Sequence, residues 1–369
     1  MIQLAIRNLV TERTRFAFSA AGIGFAVFLI TVMISLYQGW SVKIGGFVEE
    51  VDGDAWVARE GTTDFINAAS ILPLDLGESV RGGSRVTGAY PLIDRFMAFT
   101  HGSGTVEVQL IGYDVDSGVG GPPKIVKGRG EPRGNQIVLD EVASREFGVG
   151  IGDVISNGGT DVEVIGLSSG GNFAVTQAAF MEHDAAAALV KTDGLTTFFV
   201  VRLADPEGFA AWRADLAAAN PGITAFTSDE FAEATRRRIL DSVLPILLMI
   251  IGLAFIVGIA ITSLTIYTAT VERTREFGVM KAVGFNNLDL FRLVAVQSLI
   301  IGLFGFVFGA ALTIVLSTFA DRLVATFILH VRPQDLALVL SVTLVMAILS
   351  AIVPARRVGG IDPAVVFRG

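Results

Sequence analysis

Four long apolar stretches dominate the pattern of hydrophobic and polar positions. Residues 16–42, 242–271, 293–320 and 336–355 contain no Asp, Glu, Lys or Arg. Each reaches the roughly 20 apolar residues that a helix needs to cross the hydrocarbon core of a bilayer. The first stretch exceeds the apolar region of a cleaved signal peptide, which is about 7–15 residues long. The pattern therefore predicts four transmembrane helices, the first of them a retained anchor.

The segment between the first two apolar stretches contains short predicted strands and helices, as a soluble domain does. Its predicted strands are residues 55–58, 86–99, 105–113, 136–139, 161–165, 197–203 and 223–226, and its predicted helices are 141–147 and 206–219. A stretch rich in Gly and Pro, residues 118–134, marks an excursion of the chain. We therefore expect an inserted extracytoplasmic α+β domain, made of a split ferredoxin-like lobe and a mainly β insert at about 114–194.

A long helix is predicted to lead out of this domain. Thr227 and Glu230 have the spacing of a capping box, which opens a helix. No strong breaker follows until Pro245, and a proline there can kink a spanning helix without ending it. The helix would run from about 228 to 271, roughly 65 Å at 1.5 Å per residue. We expect it to extend beyond the membrane as a stalk.

Composition supports a membrane protein. Hydrophobic residues make up 52% of the 369 residues, charged residues make up 17%, and the mean hydropathy is +0.61. A typical soluble domain has about 25% charged residues. The chain has no cysteine, which excludes disulfides and thiolate chemistry.

The distribution of charge predicts the topology. Basic residues exceed acidic ones in segments 1–15, 272–292 and 356–369, whereas residues 43–241 carry 16 Lys and Arg against 29 Asp and Glu. The positive-inside rule therefore places both termini and the middle loop in the cytoplasm. The predicted order is a cytoplasmic amphipathic segment (1–15), a first span (16–42), the outer domain (43–241), a second span (242–271), a cytoplasmic loop (272–292), a third span (293–320), an external loop (321–335), a fourth span (336–355) and a cytoplasmic tail (356–369). Arg236, Arg237 and Arg238 oppose the rule, and we interpret them as side chains that reach lipid headgroups.

The sequence contains no recognisable catalytic motif. It lacks a phosphate-binding P-loop, a G-x-S-x-G nucleophile elbow and an H-E-x-x-H metal motif. The apolar stretches contain no ionisable acid or base of the kind that proton-coupled transporters use. Basic clusters are short, so nucleic-acid binding has no support. We predict no catalytic, cofactor-binding or metal-binding residue, and an energy source for any transport must lie outside this chain.

Two segments carry a family resemblance. The loop sequence VERTREFGVMKAVGF at 271–285 and the carboxy-terminal sequence PARRVGGIDPAVVFR at 354–368 resemble those of the MacB/FtsX-like ABC transporter permeases. The amino-terminal LAIRNL at 4–9, leading to Gly22-Ile-Gly24, is similar to the start of that family's first span. Short motifs around Trp56, Gly61 and Tyr90 resemble most closely the DevC-type exporter permeases.

The resemblance implies a non-catalytic permease subunit in a bacterial cytoplasmic (inner) membrane. ATP and Mg would be bound by a separate cytoplasmic ABC ATPase subunit, and a second permease chain would complete the membrane unit, as a homodimer or alternatively as a heterodimer. A membrane-fusion adaptor protein is left open as a further partner. The implied ATPase-coupling loop comprises Glu272, Arg273, Arg275, Glu276, Gly278, Lys281 and Gly284, with Gly278 and Gly284 allowing tight turns. The implied cytoplasmic tail includes Arg356, Arg357, Asp362 and Pro363.

Some alternatives remain open from the sequence. The favoured function is export or extrusion of a substrate by mechanotransmission, in which ATP hydrolysis inside moves the outer domain. The alternative is an FtsX-like signalling complex that activates an extracytoplasmic cell-wall hydrolase. Gly305 and Gly309 form a G-x-x-x-G pattern that favours close helix packing, either within the chain or between two chains.

Overall fold

The computed structural model describes residues 13–66, 70–82, 85–170, 176–320 and 328–360. The chain forms two compact units. One comprises Met1–Gly39 with Val243–Gly369, and the other comprises Trp40–Ser242. We call the first the helical unit and the second the soluble domain.

Helices make up most of the described part of the helical unit and cover parts of the soluble domain. In chain order they are α1 (Arg13–Lys43), α2 (Gly46–Glu50), α3 (Leu76–Arg81), α4 (Glu141–Phe147), α5 (His183–Val190), α6 (Phe209–Ala219), α7 (Ser228–Glu272), α8 (Thr274–Ala282), α9 (Asn287–Ser317) and α10 (Pro333–Gly359). Within the described residues, four helical segments are long and apolar enough to cross a membrane, namely Arg13–Glu50, Ser228–Glu272, Asn287–Ser317 and Pro333–Arg357.

The soluble domain is built on a mixed sheet. Its strands are β1 (Ala55–Arg59), β2 (Leu72–Pro73), β3 (Val86–His101), β4 (Gly104–Tyr113), β5 (Lys124–Gly128), β6 (Gln136–Asp140), β7 (Val154–Asn157), β8 (Thr160–Ser169), β9 (Ala178–Glu182), β10 (Leu195–Thr196), β11 (Phe198–Leu203) and β12 (Ile223–Thr227). The main sheet has the order β12-β1-β11-β3-β4-β9-β6-β8-β5, and β7 pairs with β3 and β8. The β4–β9 and β6–β8 pairs are parallel. Strands predicted for the ferredoxin-like lobe and for the insert are thus joined in one hydrogen-bonded sheet.

The core beneath β1 and β11 is aromatic. Trp56, Phe65, Phe198 and Phe231 are fully buried, and the Phe231 ring centroid lies 5.7 Å from that of Trp56 and 5.4 Å from that of Phe198. Phe231 belongs to the first turn of α7. Burying a phenylalanine side chain contributes about 1.5–3 kcal/mol, so this residue fixes the start of α7 in the domain core.

The helical unit packs through glycines at the contact of α1 with α9. A Cβ atom built on Gly309 would lie 2.4 Å from the carbonyl oxygen of Gly24, and one on Gly305 would lie 2.6 Å from Cγ2 of Ile23. Only residues without a side chain allow two backbones to approach this closely. The contact that Gly305 and Gly309 make lies within one chain.

The long helix predicted after the soluble domain is confirmed. Thr227 Oγ1 accepts a hydrogen bond from the Glu230 amide at 3.1 Å, and the Glu230 carboxylate accepts one from the Thr227 amide at 3.2 Å. These reciprocal bonds are the predicted capping box. The 45-residue helix continues through Pro245 without a break in its assignment.

The interpretation of Arg236 as a headgroup contact is wrong. Its guanidinium contacts Glu49 and Glu233, each at 2.7 Å, and its Nε donates to the Ser41 carbonyl at 2.8 Å. Arg237 also pairs with Glu233 at 2.7 Å. The Arg236 side chain therefore joins α7 to the α1–α2 region within the soluble domain, where acidic partners offset its charge.

Candidate functional site

The loop after α7 forms a short helix between two backbone breaks. α7 ends at Glu272, and Arg273 leaves the helical region with φ −98° and ψ 19°. α8 then runs to Ala282. Gly284 has φ +108°, a backbone conformation in which a residue with a Cβ atom is strained. Asn286 and Asp289 form a reciprocal capping box that starts α9. The chain thus holds α8 as a separate element between the second and third candidate spans.

Two of the predicted coupling residues contact other helices of the same chain. Both carboxylate oxygens of Glu272 lie 2.6 Å from guanidinium nitrogens of Arg15 on α1. Lys281 Nζ donates to the carbonyl of Gly359, the last residue of α10, at 2.6 Å. A two-point Arg–carboxylate contact fixes direction as well as distance. Glu272 therefore holds the end of α7 against α1, and Lys281 holds α8 against α10.

Four of the predicted coupling residues line an open groove. Glu272, Arg273, Arg275 and Glu276 share it with the apolar residues Val279, Met280 and Leu293, and its empty volume is about 1020 Å³. Arg275 and Glu276 are exposed. Val279 and Val283 are also exposed, to 44% and 76%. A surface that combines exposed valines with charges of both signs suits contact with another protein.

The turn predicted at Gly278 is not present. Gly278 lies inside α8 and is buried next to Phe277. A helical glycine in this setting allows close packing, whereas the backbone reversal falls at Gly284 alone. The sequence-based expectation failed because glycine is compatible with both roles.

The predicted tail residues are only partly described. Arg356 and Arg357 are exposed in the last turns of α10, beyond Pro354. Basic side chains near a helix C-terminus interact favourably with its dipole. Asp362 and Pro363, together with residues 4–9, lie outside the described residues.

A charged cleft in the soluble domain was missed by sequence reasoning. It lies where α3, the end of β4 and the start of α5 meet, and its empty volume is about 1120 Å³. Arg133 pairs there with Asp116 and, at 3.1 Å, with Glu182. The hydrogen bond from Arg133 lowers the pKa of the exposed Asp116 carboxyl, and burial raises the pKa of Tyr113. The partners are distant in sequence, so no local motif could have shown this cluster.

The described residues show no group of three His, Cys, Asp or Glu side chains that could hold a metal ion. They do show a soluble mixed-sheet domain inserted between the first two of four candidate spans, with a short amphipathic helix after the second. These features define a polytopic membrane protein of the permease class. One candidate spanning helix follows the soluble domain directly in the chain and is itself followed by the loop helix.

Comparison with known proteins identifies the family. Residues 16–219, more than half of the chain, match the model of the MacB-like periplasmic core domain, and residues 248–363 match the FtsX-like permease C-terminal model. The chain belongs to the MacB/FtsX family of ABC transporter permeases. As a permease of this kind it is a multi-pass membrane protein, and the family implies a cytoplasmic ATPase partner.

Individual relatives are distant. An uncharacterized ABC transporter permease of Mycobacterium bovis is 22% identical over the whole of both chains. The putative hemin transport system permease protein HrtB of Staphylococcus epidermidis is 21% identical over 96% of this chain and 97% of its own length. The periplasmic region of MacB from Actinobacillus actinomycetemcomitans matches 49% of this chain and 92% of its own at 12% identity, with a TM-score of 0.39. The resemblance to DevC-type permeases stays a prediction.

Proposed function

We propose that this permease couples ATP hydrolysis by a separate cytoplasmic ATPase to movement of its soluble domain, for export or extrusion of a substrate. The observation that carries the proposal is the groove along α8. It presents the exposed Arg275 and Glu276 beside the exposed Val279, while Lys281 fastens α8 to α10 and the adjacent Glu272 fastens the end of α7 to α1. A partner that pushes on α8 would therefore act on several spans.

The continuous helix α7 supports the transmission step. It begins in the soluble domain, where Phe231 is buried, and ends at Glu272, next to α8. A hydrogen-bonded helix of 45 residues extends about 68 Å and resists bending better than a loop would. Displacement at one end would thus reach the other without a flexible joint.

The proposal includes the assembly and its location. The chain would lie in a bacterial cytoplasmic membrane with both termini and α8 in the cytoplasm, bind no ATP or Mg itself, and pair with a second permease chain. The apolar window of α7 is only 17% buried, against 33–44% in the other three candidate spans, so α7 offers exposed apolar surface for that pairing. A membrane-fusion adaptor and the activation of a cell-wall hydrolase remain predictions of the sequence.

Charge reversal in the groove tests the coupling. Glu276→Lys should reduce co-purification with the cognate ATPase, because the exposed carboxylate lies in the proposed contact. Glu107→Lys, an equal charge change at an exposed position of β4, serves as the control. Both variants should insert and express equally. Normal ATPase capture and normal export by Glu276→Lys would remove the coupling role from this groove.

A backbone change tests the same site independently. Gly284→Val should strain the turn between α8 and α9, since no atom lies within 4 Å of a Cβ at Gly284 and only its φ of +108° opposes a side chain. We expect hydrolysis to become uncoupled from export at unchanged expression. Gly252→Val, at an open position inside α7, is the matched control. Equal coupling in the two variants would contradict the proposal.

A further inference from the structure

The charged cleft in the soluble domain is large enough to hold a small molecule. Its empty volume includes open solvent, and the cavity itself is about 530 Å³. Small-molecule sites typically span about 300–1,000 Å³. Every residue that lines the cleft belongs to the soluble domain, so the cleft is separate from the groove along α8.

The wall of the cleft carries a net negative charge. Two arginines and six carboxylates line it, which gives a formal net charge of −4, and the carboxylates are those of Asp75, Glu78, Asp114, Asp116, Glu182 and Asp184. Arg133 offsets Asp116 and Glu182. The guanidinium of Arg81 donates to the carbonyl oxygen of Ala89, at 2.8 and 3.2 Å. The other four carboxylates therefore line the cleft without an arginine or lysine partner among the described residues.

A buried histidine in the wall has one ring nitrogen without a partner. His183 is 5% exposed, and its Nδ1 lies 3.1 Å from a carboxylate oxygen of Asp184. Because a carboxylate only accepts hydrogen bonds, Nδ1 is the donor, and Nε2 of the neutral ring carries a lone pair. This Nε2 is buried and has no hydrogen-bond partner within the described part of the chain. Unpaired buried atoms of this kind are rare, and a ligand that brings an N–H donor would satisfy this one.

Part of the wall is apolar. Pro91, Val115 and Phe199 line the cleft together with the carboxylates. Sites for small molecules typically combine such apolar surface with a few polar groups. A metal ion is a poorer occupant, because no three acidic or histidine side chains of the described residues form a group that could hold one. The carboxylates are spread out rather than converging on one point, which suits an organic cation with an apolar body.

We propose that the charged cleft binds a small organic cation, with its ammonium or guanidinium group among the carboxylates and His183 and its apolar body against Pro91 and Phe199. The cation offsets the net negative charge of the wall and supplies the N–H donor that Nε2 lacks. Clefts lined by one sign of charge concentrate ligands of the opposite sign. Binding does not depend on the proposed coupling at α8, since it requires neither ATP nor the ATPase subunit.

Fluorescence titration of the purified full-length chain in detergent tests the proposal, with dansylcadaverine as the probe. This compound carries an ammonium group on an aromatic body, and its N-acetyl derivative has the same body without the charge. We expect dansylcadaverine to bind, more weakly as salt rises. The N-acetyl derivative should show only the partition that protein-free micelles show. Absence of dansylcadaverine binding, or equal binding of the two compounds, would overturn the proposal. Displacement of the probe by calcium at constant ionic strength would also overturn it, because the cleft would then be a metal site.

Charge variants locate the binding in the cleft. Asp75→Asn combined with Glu78→Gln removes two exposed charges of the wall, and the Asp75 side chain makes no capping hydrogen bond to α3. This double variant should weaken dansylcadaverine binding by about threefold to tenfold. Glu107→Gln combined with Glu146→Gln removes two exposed charges outside the cleft and should leave binding unchanged. Equal affinities of wild type and the first double variant, or equal losses in both double variants, would refute the site.

A second probe tests the role of His183. The trimethylammonium analogue of dansylcadaverine keeps the positive charge but has no N–H group at that end. His183→Phe should weaken the binding of dansylcadaverine and leave that of the analogue unchanged, because only the primary ammonium can donate to Nε2. If His183→Phe does not fold, wild type should still bind dansylcadaverine more tightly than the analogue. Equal losses of the two probes in the variant, or equal affinities for wild type, would refute the hydrogen bond to His183.

Discussion

The contact of Gly309 with Gly24 allows a sharp prediction for the helical unit. In Gly309→Ala the new Cβ atom would lie 2.4 Å from the Gly24 carbonyl oxygen and 2.9 Å from the Phe28 amide nitrogen, whereas ordinary contacts begin at 3.4 Å. Both opposing atoms belong to the backbone of α1, so no side chain can rotate away. Helices α1 and α9 would have to separate by up to about 1 Å, the difference between those distances.

The expected magnitude follows from two opposing effects. A gap of 0.5–1 Å forfeits a quarter to a half of the dispersion energy at each contact along the helix pair, and overpacking typically costs about 1–3 kcal/mol. Replacing Gly by Ala inside a helix contributes about 0.5–1 kcal/mol in the other direction. We therefore expect a net destabilisation of up to about 2.5 kcal/mol. Gly252→Ala, with no atom within 4 Å of its Cβ, should show the favourable effect alone.

Thermal unfolding in detergent, followed by size-exclusion chromatography, measures both variants. Gly309→Ala should unfold at a lower temperature than wild type, and Gly252→Ala at an equal or higher temperature. A Gly309→Ala protein as stable as Gly252→Ala would show that α1 and α9 do not approach this closely, and the reasoning on that contact would fail.

Further predictions concern the soluble domain and the topology. Arg236→Gln should lower the free energy of unfolding in urea by about 1–3 kcal/mol, because three contacts are lost. Arg237→Gln, at an exposed position, should change that free energy by no more than about 0.5 kcal/mol. Equal effects would contradict the role of Arg236. Burial raises the pKa of the Asp94 carboxyl above 3.8, against the hydrogen bond that it accepts from Gln109. The neutral Asp94 carboxyl therefore stabilises the fold below about pH 4, and this stabilisation is lost as pH rises through the raised pKa. Asp94→Asn should abolish that loss in urea titrations between about pH 4 and 8. An unchanged pH profile would count against a buried titrating group. The chain has no cysteine, so single introduced cysteines report their own location. Ser103→Cys should react with an impermeant maleimide in intact cells, and Val283→Cys should not. The reverse labelling pattern would show that the topology is inverted.

Local patterns in the sequence predicted the main elements well. The capping box at Thr227 and Glu230, followed by a run without breakers, was sufficient to predict α7 almost to the residue. The four spans and the mixed α+β character of the inserted domain are confirmed for the same reason. Each depends on short-range periodicity and on the length of apolar runs, which the sequence displays directly.

What the sequence did not predict depends on contacts between distant residues. Glu272 meets Arg15 across 257 positions, and Lys281 meets Gly359 across 78. In the sequence, both residues are simply charges in a loop. The partners of Arg236 were equally hidden, because burial and pairing arise only after the chain packs. Gly278 and Gly284 have the same side chain, and only the backbone geometry distinguishes them.

Because α7 is uninterrupted, the number of residues between two of its side chains sets both their distance along the helix and the angle between them around the helix axis. Every residue of an α-helix turns the following chain by about 100° and advances it by 1.5 Å. The face that α7 presents at Phe231 is therefore locked in phase with the face it presents at Glu272, forty-one residues later. One inserted or deleted residue between them would rotate the two ends out of phase, whereas about seven would restore the phase to within 20°. If α7 transmits motion as proposed, the spacing between those two residues matters as much as their identity.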